Sequence, residues 1–359
     1  MTTLLDTYIL DSLEKKNTPL CPVFGECGGC QYQNLSYEEE LKLKETQLKN
    51  IFFTSLPIAE DLFEAIVPSP IEYHYRNRLD LKLLKTKDGQ VLVGFSPEKR
   101  NRMIEVERCP IARREISEFL PELKRQAILR LTPKYRVANL VVRCGEQGGV
   151  HWGGIGRRSL ELTPENYFSA EVSGKKIFYS LDTFFQANLS ILSILIEQIR
   201  RFSFWESQPC LYDLYGGVGL FAVTLADCAR KVVLIENNLS SVKLAHYNKN
   251  YHGLKNFEIL SGTVEEHLSN LPEEKNDEKI AIVDPPRAGL SFTALEELST
   301  SKNFSALMYL SCNPESLVRD LKIFLERGWW IEKILPFDFF PRTKHIETLV
   351  ILKQLTPLK

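Results

Sequence analysis

The chain has 359 residues, enough for two domains and a substantial core, and its 44% hydrophobic and 25% charged content is that of a soluble globular protein. A net charge of −1 argues against a uniformly basic nucleic-acid coat but allows a basic face, and no apolar run is long enough to span a bilayer. Met1 to Asp6 shows neither a basic n-region nor a cleavage site, so the expectation is a cytoplasmic protein with no membrane association and no obligate protein partner.

In that compartment the eight cysteines read as metal ligands or reactive thiols rather than disulfides. Residues 1–20 form a short polar extension. Cys21, Cys27 and Cys30 follow in C-x5-C-x2-C spacing, with Gly25, Gly28 and Gly29 between them to turn the backbone tightly. Such a loop wraps one metal centre. Its fourth ligand is expected at Cys109, where Pro110 fixes a turn as in other cluster loops, with Cys144 in reserve. Four thiolates also suit zinc. The single C-x2-C pair departs from a zinc ribbon, and the spacing departs from the C-x3-C-x2-C of radical enzymes. A closed [4Fe-4S] cluster is therefore the favoured reading.

Ser36 to Glu39 is a capping box, opening a helix that runs to about Leu48. Glu40 and Lys44 read as an i,i+4 pair on its surface, without chemistry. From Tyr73 to about Tyr179 the pattern becomes strands: 75–83, a turn at Lys87-Asp88-Gly89, 91–95, 139–143 and 176–179. Ile71 to Arg114 holds eleven Lys/Arg against six Asp/Glu. Arg76, Arg78, Lys82, Lys99, Arg100 and Arg102 there read either as phosphate contacts or as a solvated strand face. Tyr73 and Tyr75 either stack on bases or pack.

The second half alternates strands and helices. An apolar helix is expected from Leu189 to Ile199. Leu211 to Leu214 is a strand, Tyr215-Gly216-Gly217-Val218-Gly219 a glycine turn, and Leu220 a helix start. Val232 to Ile235 is the next strand, and Glu236 ends it about 20 residues past the turn, a placement suited to ribose hydroxyls. This turn leans toward S-adenosylmethionine. Lys279 to Val283 is a buried strand closed by Asp284-Pro285-Pro286-Arg287, where two prolines stiffen the exit from the sheet but leave Asp284 and Arg287 without a structural task.

Ala306 to Ser311 reads as a further buried strand and Glu315 to Leu325 as a helix, with Cys312-Asn313-Pro314 between them. Cys312 thus falls at the carboxyl end of a strand and beside a helix N-terminus, which favours the nucleophilic thiolate. A buried, inert cysteine is the plainer alternative. Glu347 precedes the final strand, Thr348 to Leu352, and as a lone glutamate it reads as solvated.

Together these pieces resemble the iron–sulfur-bearing RNA uracil-5 methyltransferases. The likeness runs from about Cys21 to Leu352. It rests on the cysteine set, Tyr75-Arg76-Asn77-Arg78, Phe184-Phe185-Gln186, Asp213 to Gly219, Asp284 to Gly289, Ser311-Cys312-Asn313-Pro314 and His345-Ile346-Glu347-Thr348, in one order. The resemblance implies an α/β chain: a class I Rossmann-like methyltransferase domain over 181–359 and a β-rich, cluster-bearing, RNA-binding domain over 21–180. The helix at about 36–50 would lie against the catalytic domain. It implies Cys312 as nucleophile, Glu347 as base, and Gln186, Tyr215, Glu236 and Asp284 as S-adenosylmethionine contacts. The implied substrate is a uridine of 23S rRNA.

Leu220 stands where many relatives have asparagine, and Gly216 where they often have cysteine, the latter expected to cost nothing. The small β-barrel that some relatives carry ahead of the cysteines is expected to be absent. A tRNA uridine-5 or RNA cytosine-5 methyltransferase, and a degenerate iron–sulfur RNA-binding protein, are the alternatives. Against the cytosine enzymes stands Asp284-Pro285-Pro286-Arg287, where they usually place Pro-Cys.

Overall fold

Leu79, Leu81 and Leu83 alternate with Asp80, Lys82 and Leu84, and this period of two makes Arg78–Lys85 a strand with one buried face. The computed structural model describes residues 17–96, 103–131, 136–155, 166–269 and 278–354. Arg78–Lys85 is β1 of an antiparallel sheet completed by β2 (Val91–Phe95), β3 (Ile104–Glu105), β4 (Val137–Gly145) and β5 (Gly148–Ile155). The order is β3-β2-β1-β4-β5.

A helix, Arg114–Leu131, covers this sheet. Ile116, Leu120, Leu123 and Ala127 recur along one face and share a core with Leu79, Leu81 and Leu83. The sequence reading had only strands here. Pro121 lies inside the helix and disguises its pattern. A hairpin of β6 (Phe168–Val172) and β7 (Lys175–Tyr179) follows.

The second sheet has seven strands: β8 (Cys210–Leu214), β9 (Lys231–Glu236), β10 (Phe257–Ser261), β11 (Lys279–Val283), β12 (Ala306–Ser311), β13 (Trp329–Phe337) and β14 (Glu347–Gln354). They run in the order β10-β9-β8-β11-β12-β14-β13. β8 to β12 are mutually parallel. The order reverses between β8 and β11, where open α/β sheets take their ligands at the carboxyl edge. β14 is inserted antiparallel between β12 and β13, so its first residue, not its last, arrives at that edge.

The helix opened by Ser36 runs from Tyr37 to Ser55, a full turn and more beyond the expected end. Leu48, Phe52 and Leu56 insert into the core beneath the second sheet, beside Phe324 and Trp329. That burial prolongs the helix, which lies against Pro314–Glu326. The Glu40–Lys44 pair is not on the surface. Both side chains are wholly buried, and Lys44 Nζ bonds Glu40 at 2.7 Å and Asp338 at 2.8 Å. The spacing of four fixes that the two residues meet but not which face they occupy. The apolar helix expected from Leu189 begins at Leu192 and runs to Arg200. Among the described residues no helix is long and apolar enough to cross a membrane.

Candidate active site at the carboxyl edge of the sheet

Ser311, the last residue of β12, pairs with Thr348, and Phe337 of β13 pairs with Glu347. Cys312 is the next residue after Ser311, so the antiparallel register sets it beside Glu347. Asn313 caps the Pro314–Glu326 helix by accepting from Glu315 N, and Pro314 suits the helix start, where an N–H would have no partner within the helix. Asn313 Nδ2 and Ser316 Oγ donate to the Arg287 carbonyl at 3.0 and 3.1 Å, tying the loop after β12 to the loop after β11. Gly289 makes this tie possible. Its φ is +81°, and a Cβ there would come within 2.6 Å of Arg319 and Asp320.

The charges in this pocket are crowded. Burial pushes the Cys312 thiol up to about 11; Glu347 and Asp284 add to the rise, and the exposed Arg287 cation opposes it. Glu347 is 4% exposed, and burial, with Asp284 nearby, lifts its carboxyl well above the ordinary range while Arg287 pulls it back. Burial lifts Asp284 to about 7. Two expectations are corrected here. Glu347 is not solvated, because antiparallel pairing on both sides encloses it. The helix N-terminus does not hold Cys312 as thiolate in the free protein, because burial and two carboxylates outweigh it.

The glycine turn follows β8 and needs three left-handed residues, Tyr215 at φ 61°, Gly217 at 56° and Gly219 at 89°. Tyr215 is not glycine, and so holds a strained conformation of the kind found at ligand sites. Glu236, at the end of β9, accepts from Gly217 N (3.0 Å) and Asn238 N (2.6 Å). Asp213 accepts from Ala222 N at 2.9 Å, and burial lifts it to about 8, with Asp284 and Glu236 contributing. Gln186 Nε2 reaches Asp284 Oδ2 at 3.4 Å. Gln186, Asp284 and Glu236 are therefore linked by a hydrogen bond and by shared charge around Asp213, and Tyr215 opens the turn between them. Leu220 is buried in the core and offers no polar contact. At Gly216 a Cβ would lie 2.6 Å from Leu234 Cγ, so glycine fits here and a larger residue needs Leu234 to move.

Three contributors were not assigned from sequence. Arg287 is the cation that faces Cys312, Glu347 and His345. Burial, with Arg287 nearby, draws His345 down to about 4, so its ring is neutral at neutral pH. Arg143 of β4 is wholly buried and donates to the carbonyls of Ser180, Thr183 and Phe185, while its guanidinium lies 5.0 Å from the Tyr179 ring centre. With Asn77, whose Nδ2 donates to the Gln186 carbonyl, it clamps the loop that presents Gln186. The Tyr75-Arg76-Asn77-Arg78 motif carried a signal for Asn77. Nothing in the pattern of β4 marked Arg143.

The cysteines gather at the other end of the chain's first third. Cys21 and Cys109 are buried, and Cys27 and Cys30 are partly so. Burial drives the Cys30 thiol up to about 12, and Cys109, Cys27 and Cys21 each push it further in that direction. The four thiols thus share one neighbourhood, while Cys144 faces Arg113 and Glu115 instead. Among the described residues, however, no three His, Cys, Asp or Glu side chains converge into a metal-binding group. The thiols are neighbours without forming a ligand shell.

Of the basic residues, Arg78 pairs with Asp80 at 2.8 Å and Lys82 is exposed. Lys99, Arg100 and Arg102 lie outside the described residues. Tyr75 packs in the core and donates to the Pro341 carbonyl, and Tyr73 lies under the Arg342 guanidinium.

Residues 160–355 match the family described as tRNA (Uracil-5-)-methyltransferase. A tRNA (uracil(54)-C(5))-methyltransferase of Schizosaccharomyces pombe is 30% identical over 97% of this chain and 70% of its own length. An uncharacterized RNA methyltransferase of Synechocystis is 29% identical over 96% of this chain and 84% of its own. The structure of Pyrococcus abyssi tRNA (uracil-54, C5)-methyltransferase, solved with S-adenosyl-L-homocysteine, has a TM-score of 0.68 to this chain at 23% identity. It covers 90% of this chain and 85% of that one, a shared fold across both sheets.

Proposed function

The chain belongs to the tRNA (uracil-5-)-methyltransferase family, and from that premise we propose that it moves a methyl group from S-adenosylmethionine to carbon 5 of a uridine in RNA, through a covalent Cys312 adduct that Glu347 resolves. The observation that carries this reading is the β12–β14 register, which sets a thiol beside a buried carboxylate at the ligand-binding edge of the sheet.

Carbon 5 of uracil is too weak a nucleophile to take a methyl group unaided. Cys312 first releases its proton to solvent; attack of the resulting thiolate on carbon 6 forms the S–C6 bond and pushes the C5–C6 π pair toward the carbonyl at carbon 4, leaving carbon 5 electron-rich. Bound S-adenosylmethionine supplies an electrophilic methyl and departs as a neutral thioether. The Glu347 carboxylate then takes the proton from carbon 5. That C–H pair restores the double bond, and the S–C6 pair returns to Cys312. A carboxylate raised by burial is a better acceptor for that proton than an exposed one, and Arg287 steadies the anionic sulfur and carboxylate in turn.

The residues present fit the methyl donor. A Cβ on Gly217 would meet nothing within 4 Å, which leaves open space over the turn. Asp213, Asp284 and Glu236 lie close together, and a cationic sulfonium and amine would favour the charged forms of the raised Asp213 and Asp284. Gln186, Tyr215, Glu236 and Asp284 would hold it. The target base must leave its stack to reach Cys312, and loops of RNA offer such bases.

Cys21, Cys27, Cys30 and Cys109 are four soft donors whose chemistry suits a [4Fe-4S] cluster; among the described residues their side chains do not converge into a ligand shell, so holding one would require them to close around it. A centre with four protein ligands would order the loops of the RNA-binding region and take no part at the uridine. Chelation of the purified protein is expected to weaken folding or RNA affinity more than S-adenosylmethionine affinity.

The cysteine set favours 23S rRNA as substrate, as in the cluster-bearing family members. The Schizosaccharomyces pombe relative favours a second reading, uridine in tRNA. Mapping 5-methyluridine in both RNAs, with and without the gene, decides between them. Cys312→Ala is expected to abolish transfer, and Glu347→Gln to trap a protein–RNA adduct. An active alanine variant would refute the mechanism.

A further inference from the structure

Glu347 begins β14, so what precedes it is not strand but the irregular segment 338–346. That segment is held from outside along its length. The carbonyls of Phe339, Phe340 and Pro341 accept from Asn188 Nδ2, Lys44 Nζ and Tyr75 OH at 3.1, 3.1 and 2.9 Å. The Arg342 carbonyl accepts from the backbone N–H groups of Gln31 (3.0 Å) and Tyr32 (3.2 Å). The last of these ties before Glu347 therefore come from the stretch directly after Cys30.

Two side chains complete the link. Gln31 Oε1 accepts from Lys344 N at 3.0 Å, while its Nε2 donates to the Gly28 carbonyl, between Cys27 and Cys30, at 2.8 Å. One amide thus spans from the cysteine loop to a residue three before Glu347. Arg342 sits at φ 69°, a conformation that a long side chain adopts only when its surroundings enforce it. The enforcement is visible. Its N–H donates to Glu40 Oε1 at 2.7 Å, and its guanidinium donates to the Leu35 carbonyl and to Glu72. The guanidinium also lies 5.5 Å from the Tyr37 ring centre and 4.9 Å from that of Tyr73.

We infer that Gln31 and Arg342 are positioning residues that tie the Glu347 loop to the cysteine-bearing segment, so that the order of that segment sets how fast the Cys312–RNA adduct is resolved. This rests on Glu347 acting as the base. Neither residue touches the uridine. Loosening them displaces one reacting group and leaves the thiol on β12 where it is, so the proton-removal step is slowed selectively. Displacements on the scale of an ångström cost up to about 100-fold in rate.

The test uses the full-length enzyme, RNA from cells lacking the gene, and methyl-labelled S-adenosylmethionine. Denaturing quenches separate labelled RNA bound to protein from labelled free RNA. Gln31→Ala is the mild variant. Arg342→Gly removes the side chain but tolerates the left-handed backbone. Both are expected to raise the steady-state share of methylated adduct by roughly tenfold at unchanged RNA affinity. An adduct share equal to that of wild type overturns the inference. So does a parallel loss of RNA affinity and methylation without adduct, which marks a purely structural role. Glu347→Gln runs alongside: if it too leaves no adduct, the base assignment itself has failed and the inference falls with it.

Discussion

Buried carboxylates occur in two regions of this molecule and are treated oppositely. Beside the Tyr37–Ser55 helix, Glu40 and Asp338 share Lys44, and Arg342 and the Tyr37 hydroxyl complete the set. At the carboxyl edge of the second sheet, buried Asp213 and Glu347 and half-buried Asp284 have no ion-pair partner among the described residues, and Arg287 acts on Glu347 from nearby. The first region has its charges answered within the fold. The second keeps a cost in the free protein that only a ligand can offset. The difference teaches where to look: a buried acid with its cation is architecture, and a buried acid without one points to chemistry.

The strongest way to break this comparison is Lys44→Met. It takes the shared cation from Asp338 and leaves Glu40 with Arg342 alone, and is expected to lower unfolding stability by about 3–5 kcal/mol, measured by chemical denaturation. A loss below about 1 kcal/mol would mean that the region is not held by its charges. Burial still lifts Glu40 to about 7 despite Lys44 and Arg342, so even the answered region is not free of strain.

Asp213→Asn probes the other side with opposite sign. Asp213 rises from 3.8 to about 8 on folding, so the native state keeps a proton that the unfolded chain releases above its ordinary pKa. That penalty grows from about pH 4 to pH 8 and is complete above it. The amide, which can still accept from Ala222 N, is expected to stabilise the protein by up to about 5 kcal/mol at pH 8 and by less than about 1 kcal/mol at pH 4. Thermal melts at the two pH values measure it. Equal gains at both would show that the carboxylate charge is not the cause.

The smallest effect sharpens the role of Arg287. With Cys312 near 11, site-resolved alkylation should quicken about tenfold per pH unit from 7 to 9. Arg287→Gln removes a cation that favours the thiolate and should slow Cys312 alkylation about threefold at pH 8. No change would place Arg287 too far from the sulfur to matter.

Much of this arrangement was legible in the sequence, and the limits have physical causes. The parallel strands β8, β9, β11 and β12, the glycine turn and the Asp284-Pro285-Pro286 exit are local patterns, and each lies where its residues indicated, whereas β10, whose middle is only half-buried, was not read as a strand. The neighbourhood of Glu347 is not local. It depends on β14 entering antiparallel between β12 and β13, a pairing that no periodicity encodes. The Glu40–Lys44 pair misled for a related reason, since a charged pair looks alike on a wet or a dry helix face until its partners Asp338 and Arg342, some three hundred positions away, are known. The thiolate expectation for Cys312 counted the helix end and could not count burial.

The insertion of β14 has one more consequence, in time rather than in space. The ribosome makes this strand after β12 and β13, yet it lies between them. While residues 347–354 are still inside the exit tunnel, the slot that they fill is open, and the thiol has no carboxylate beside it. Both pairings of β14 must therefore form before Cys312 and Glu347 become neighbours, however early the cysteine loop and the glycine turn are made.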